Sequence, residues 1–226
     1  MAAHFNIQYR YDLFHEFQYC EIAKPVFDFW TPIVYNWQSF VRCVMIDRVS
    51  ALLLMEAKIP NKNLRKHILA VEAGMVRLAE HFGEDKNLWG LTGLLHDLDY
   101  DVTVKNAEQH TFITEEWLKP YELPAEMIYA IRCHPGHAEC QSRLDWSLYA
   151  TDPTTGFIVA CALMHPSKKL INIDSDFILR RFKEKRFAAG ATRENIEACS
   201  QLGLELAEFL MLIRDGMMTI SDSLEL

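Results

Sequence analysis

From Val49 to the C-terminus, apolar residues recur at three- and four-residue spacing and no stretch alternates apolar with polar, a pattern that buries itself only by packing helix on helix. Leu64, Ile68, Val71, Met75, Leu78 and Phe82 form one stripe, with Asn63 as its expected N-cap and Gly83 as its stop. Leu88, Leu91, Leu94, Leu95 and Leu98 form a second, which carries His96 and Asp97 near its C-terminal end. After a polar turn over Tyr100 to Lys105, a helix through His110, Ile113 and Trp117 is expected to end before Pro120. Pro124 suits the first turn of the next, through Met127, Ile128, Ile131 and His134, which Pro135 and Gly136 terminate. The segment Leu144 to Met164 is helical in period but is expected to be interrupted at Asp152-Pro153. Two more helices are expected, one near Asp176 to Arg186 and one from a Thr192 cap through Ile196, Cys199, Leu206, Phe209 and Ile213. The fold class that follows is all-α, a helical bundle.

The N-terminal stretch is different in kind. Before Val49 lie Phe5, Tyr9, Tyr11, Phe14 and further aromatics up to Phe40, close to half of those in the chain, without a sustained period. The reading is an aromatic-rich extension over 1–48 and a helical domain over 49–226. A chain of 226 residues has room for one full core and hardly for two.

Charge and cysteines narrow the function classes. The net charge of -8 argues against a nucleic-acid binder, because phosphate-backbone affinity needs clustered Lys and Arg. A small phosphorylated substrate remains compatible, since a bound cation can supply the local positive charge. The 6 cysteines include no C-x-x-C pair, and no cationic segment followed by an apolar run opens the chain, which points to reduced thiols and a cytoplasmic location. Lys24, Asp28, Arg42 and Asp47 interrupt the most apolar region, so no membrane span is expected.

Chemistry concentrates in His67, the adjacent pair His96-Asp97, and Asp152, which fall in three separate apolar helical stretches where a lone ionisable group would be costly to bury. A shared cation removes that cost. Two imidazoles and two carboxylates suit a divalent ion such as Mn, Fe, Co, Ni, Zn or Mg and leave coordination positions for water and substrate. Each residue also has a plainer reading: His67 as a hydrogen-bonded core histidine, and Asp152 as an N-cap with Pro153 in the first turn.

The order His67, then His96-Asp97, then Asp152 resembles the signature of the HD-domain metal-dependent phosphohydrolases. The segment Leu91-Thr92-Gly93-Leu94-Leu95-His96-Asp97 is similar to that family's glycine-containing lead into its His-Asp pair, and Tyr149-Ala150-Thr151-Asp152 resembles the helix bearing its last Asp. The similarity extends to Phe187-Ala188-Ala189-Gly190, as in a subgroup of predicted bacterial HD hydrolases. The resemblance implies an HD-domain helical bundle, metal ligands at His67, His96, Asp97 and Asp152, and a catalytic part for Asp97. It also implies hydrolysis of a phosphate ester, a nucleotide or another small phosphorylated metabolite. Members with two metals add histidines between the His-Asp pair and the final Asp; His110 and His134 stand in suitable places, with His137 a rival to His134, and Asp97 would bridge the ions. One or two ions per chain are therefore expected.

The chain departs from the family pattern where Asp99-Tyr100 replaces a common Gly-Lys, so a phosphate-contacting lysine is missing there; Lys105 is a substitute that nothing places. Two other readings stay open: an HD-fold di-iron oxygenase, and a non-catalytic metal or nucleotide sensor. Arg180, Arg181, Lys183, Lys185 and Arg186 either attract a phosphorylated substrate or form a solvated helix face, and Asp99 and Asp101 either orient an attacking water or end a helix. Substrate-binding residues and homo-oligomerisation are left open by the sequence.

Overall fold

The computed structural model describes residues 46–226. Nearly all of the expected extension 1–48 thus lies outside the described residues. Its last three residues, however, are already built into the helical domain. Ile46 is buried, Asp47 accepts from Ser50 N at 2.7 Å to cap the first helix, and Arg48 Nη2 donates to the buried Glu72 carboxylate at 3.0 Å.

Among the described residues the only regular elements are helices, as the periodicity predicts. They run α1 (Arg48–Lys58), α2 (Lys62–Phe82), α3 (Lys86–Leu95), α4 (Tyr100–Thr103), α5 (Phe112–Leu118), α6 (Ala125–Cys133), α7 (Arg143–Met164), α8 (Ser175–Phe182), α9 (Arg193–Glu197), α10 (Leu206–Met218) and α11 (Ser221–Leu224). Helix α2 is central, with α3, α7 and α10 packed around it, and α6 lies against α7. Ile68, Met75, Leu94, Leu95, Phe157 and Phe209 are among the fully buried side chains that this arrangement seals from water. No helix of the described residues is long and apolar enough to cross a membrane.

The crossing of α2 and α3 positions the chemistry. A Cβ built at Gly93 would sit 3.0 Å from the backbone of Glu72, and one at Gly90 would sit 2.8 Å from Val76, so the two helices run antiparallel in near-backbone contact. Counting on along both brings His96 and Asp97, at the end of α3, alongside His67 in the second turn of α2.

Several local expectations are corrected. The α2 cap is Asn61, whose side chain accepts from Asn63 N at 2.9 Å and Leu64 N at 3.3 Å; Asn63 itself is already helical. Gly83 does stop the helix, in the left-handed conformation at φ 71°. Helix α7 is not interrupted at Asp152-Pro153. Ser142 holds its N-cap in a reciprocal box with Asp145, and the helix continues through Pro153, whose missing N–H leaves the Tyr149 carbonyl without its usual helical donor. Packing of this long helix on α2 and α6 outweighs the local cost of the proline. Asp152 is therefore an interior helix residue, and its reading as an N-cap falls away. The helix expected through His110 begins later, at Phe112, and the one expected from Thr192 to Ile213 is split by a 3-10 turn at Ala198–Leu202 and by Gly203 at φ 74°.

Candidate metal centre

Five separate stretches of chain deliver side chains to one end of the bundle. His67 comes from α2, His96 caps the C-terminal end of α3 with Asp97 directly after it, His134 caps the C-terminal end of α6, and Asp152 comes from the middle of α7. His110 follows a 3-10 turn (Ala107–Gln109), and Thr111 after it, at φ 70°, bends the chain sharply in a conformation uncommon for a β-branched residue.

Each of the four imidazoles is anchored through Nδ1. His96 Nδ1 donates to the Gly93 carbonyl at 2.7 Å and His134 Nδ1 to the Ile131 carbonyl at 2.6 Å. His110 Nδ1 donates to Asp99 Oδ1 at 2.7 Å. His67 Nδ1 lies 3.2 Å from the Thr155 hydroxyl, which itself donates to the Asp152 carbonyl at 3.0 Å and so accepts from the imidazole. In the neutral imidazole with Nδ1 carrying the proton, each Nε2 is a lone pair turned inward, the arrangement that metal-binding histidines adopt; without an ion, His110 Nε2 and His134 Nε2, 3.1 Å apart, share a proton instead.

These lone pairs gather around Asp97. Its Oδ1 is 3.2 Å from His110 Nε2 and 3.3 Å from His134 Nε2; its Oδ2 is 3.5 Å from His96 Nε2 and 3.8 Å from His67 Nε2. Asp152 Oδ1 closes the second group, 2.9 Å from His67 Nε2 and 3.8 Å from His96 Nε2. The trios His67, His96, Asp152 and His96, Asp97, His134 each bring ligand atoms within 4.8 Å of one another. His96 is fully buried, and its Nε2 has no hydrogen-bond partner among the described residues. Such an orphaned polar atom is costly unless something fills the gap, and a cation facing two carboxylates does so. The donor set, nitrogen and carboxylate oxygen only, fits a divalent first-row ion.

The electrostatics point the same way. Burial by itself would raise the Asp97 carboxyl, yet His96, His110 and His134 hold it well below the usual carboxylate range. Asp152, against its burial, is lowered by His67 and His96. Burial would likewise discharge His110, but hydrogen bonds to Asp97 and Asp99 push it up to about 9, whereas burial prevails at His134 and lowers it. Without an ion the cluster thus keeps its carboxylates charged and a proton on His110 beside them.

The site opens into a cleft of about 670 Å³. His67, Asp97, Tyr100, His110, His134 and Asp152 line it, together with Tyr149, Gly156, Ala188, Gly190, Ala191, Thr192 and Asn195. Burial, followed by the charges of Asp97 and Asp152, raises the Tyr100 phenol, so its O–H stays protonated.

All six candidate ligands therefore converge. His137 does not: its Nδ1 is 3.4 Å from the Thr111 hydroxyl, its ring stacks on Phe112, and it does not line the cleft, which leaves the place to His134. Lys105 is exposed and outside the cleft, and Arg180, Arg181, Lys183, Lys185 and Arg186 do not line it either, Arg181 being half-buried and paired with Glu184 at 3.0 Å. Asp99 and Asp101 are not placed to orient water. Asp99 is wholly buried on His110 and Thr114 N, and Asp101 accepts from Asn61 N at 3.3 Å. Sequence reasoning missed Thr155 and Asp99 as histidine anchors, and it missed Tyr149, Gly156 and Asn195 as part of the cleft wall. The wall was partly findable, because Tyr149, Asp152, Pro153 and Gly156 share one helix face at three- and four-residue spacing.

Residues 64–165 match the family model of the HD domain, a span that contains all six candidate ligands. No curated protein and no solved structure matches the chain.

Proposed function

Because residues 64–165 match the HD domain, we propose that this chain is a metal-dependent phosphohydrolase that acts on a small phosphate ester at a two-ion site. The observation that carries this reading is the convergence of four anchored imidazoles on the two oxygens of Asp97, with His96 Nε2 left orphaned. In this assignment His67, His96 and Asp152 would hold one ion and His110 and His134 the other, with Asp97 shared between the two groups. A divalent ion bound there supplies an acidified water and neutralises charge developing on the phosphoryl oxygens.

The protein's own groups do the rest. The Nδ1 anchors keep the imidazoles from rotating, so little reorganisation accompanies reaction. Tyr100 stands where relatives carry lysine, and its protonated phenol is a neutral donor to a phosphoryl oxygen at the cleft mouth.

The test is turnover. The chain is stripped of metal, reloaded separately with Mn, Fe, Co, Ni, Zn and Mg, and assayed against phosphomonoesters and nucleotides. Metal-dependent release of phosphate, lost in Asp152→Asn, is the expected result; tight metal binding with no turnover of any ester would overturn the reading.

One observation favours a second reading. Among the described residues no Lys or Arg lines the cleft, so nothing but the ions would offset phosphate charge. A di-iron oxygenase has no such need. Iron retained from expression, with a mixed-valent spectroscopic signal, would select it.

A further inference from the structure

The face of α7 that presents Asp152 to the metal end continues along the cleft as Tyr149, Pro153 and Gly156. Gly156 is out of place there by every local criterion. It lies in the interior of a 22-residue helix, where glycine is less stable than alanine, and a Cβ built on it meets nothing within 4 Å. Packing inside the protein therefore does not require it, in contrast to Gly93, whose Cβ would strike Glu72.

The cleft that Gly156 lines also has a stretch of small side chains, Thr192 the largest among them. Ala188, Gly190 and Ala191 line it, and Ala188 has the unfavourable φ of 46°. Arg193 holds this turn in place. Its guanidinium donates to the carbonyls of Phe187 at 2.6 Å, Ala191 at 2.8 Å and Phe182 at 3.1 Å, and sits over the Phe157 ring. Arg193 is thus committed to the turn's carbonyls. Tyr149 O–H donates to Asn195 Oδ1 at 3.1 Å, which leaves the Asn195 amide N–H groups as donors. A turn of small side chains held by Arg193, an amide edge and a glycine line one slot, with no Lys or Arg among the described residues that line it, which suits an uncharged group.

We propose that this slot holds the non-reacting, uncharged part of the substrate, that Gly156 sets the size of group admitted, and that Arg193 is a positioning residue for the turn that lines it. The proposal rests on the phosphate-ester reading of the metal end. It narrows the substrate class to a monoester with one anionic group at the ions and a neutral hydrogen-bonding group beyond.

The experiment measures binding to the metal-loaded chain, by calorimetry, of a series graded by size: inorganic phosphate, phenyl phosphate, a hexose phosphate and a nucleoside 5′-monophosphate. In the wild type at least one ester should bind more tightly than inorganic phosphate. Gly156→Leu should weaken that ester by about tenfold or more, the scale on which a filled pocket discriminates, while leaving inorganic phosphate unchanged. Gly156→Ala should raise the melting temperature and weaken the ester to a smaller degree. Arg193→Lys should weaken the ester and spare inorganic phosphate. Equal affinity of all esters and inorganic phosphate, or equal losses for both in Gly156→Leu, would overturn the slot and leave the hydrolase reading standing. Failure to bind even inorganic phosphate would overturn both.

Discussion

Asp99 and His110 are joined at 2.7 Å between carboxylate Oδ1 and imidazole Nδ1, in a position with no exposure to solvent at Asp99. The other oxygen of Asp99 accepts from Thr114 N at 3.0 Å, and Thr114 Oγ1 accepts from Asp99 N at 3.1 Å. No helix fixes His110, so this carboxylate is what fixes it.

Asp99→Asn is therefore expected to weaken binding of one of the two ions by about 10- to 100-fold, the usual cost of losing a partner behind a metal-bound histidine. Metal titration followed by calorimetry reads it. Two ions bound with unchanged affinity would remove Asp99 from that role.

Metal analysis of the reconstituted chain should find close to two ions, as expected if Asp97 is shared by two groups of ligands. A His110→Ala, His134→Ala double variant that stays folded should retain about one. A single ion in both proteins would leave a mononuclear site of His67, His96, Asp97 and Asp152.

Asp152→Asn should keep the helical circular dichroism of the parent, since Asp152 lies inside α7 and caps nothing. Turnover should fall by about a hundredfold or more, because the neutral amide is a far weaker partner for the ion. Normal turnover in this variant would place Asp152 outside the chemistry.

The elevated His110 has a pH signature. Its folded-state pKa, about 9, lies above the ordinary imidazole value, so its charged form stabilises the metal-free fold fully below that ordinary value and the contribution is lost as pH rises through about 9. An incoming cation must displace that proton, so metal affinity should rise with pH up to about 9 and then level off. Affinity that stays flat across this range would show that His110 binds no ion.

A chain beginning at Met45 is expected to fold and to bind metal. Ile46 already packs in the core and Asp47 supplies the α1 cap, so both belong in the fragment. Loss of helical, metal-binding protein on that truncation would make the aromatic segment part of the domain.

What could be read from the sequence follows from range of interaction. The α2 and α3 stripes, the Gly83 stop and the His96-Asp97 pair depend on neighbours a few residues away, and they were legible as such. Pro153 was not, because its local rule says break while the packing of α7 on α2 and α6 says continue. His110 reads as part of a helix because Ile113 and Trp117 follow at suitable spacing, whereas it is held outside the helix by a carboxylate eleven positions earlier. Arg193 reads as an ordinary first-turn cation; that it cages the carbonyls of Phe182, Phe187 and Ala191 depends on a turn whose path no spacing specifies.

The Nδ1 anchors tie the centre to α2, α3, α6 and α7 together, with His96 walled off from water. An ion among them would be a clasp on distant parts of the chain, joining segments far apart in sequence at one point. Metal binding should consequently hold the whole domain together rather than the cleft alone. A chelator would then lower the denaturant midpoint of global unfolding, read by helical circular dichroism.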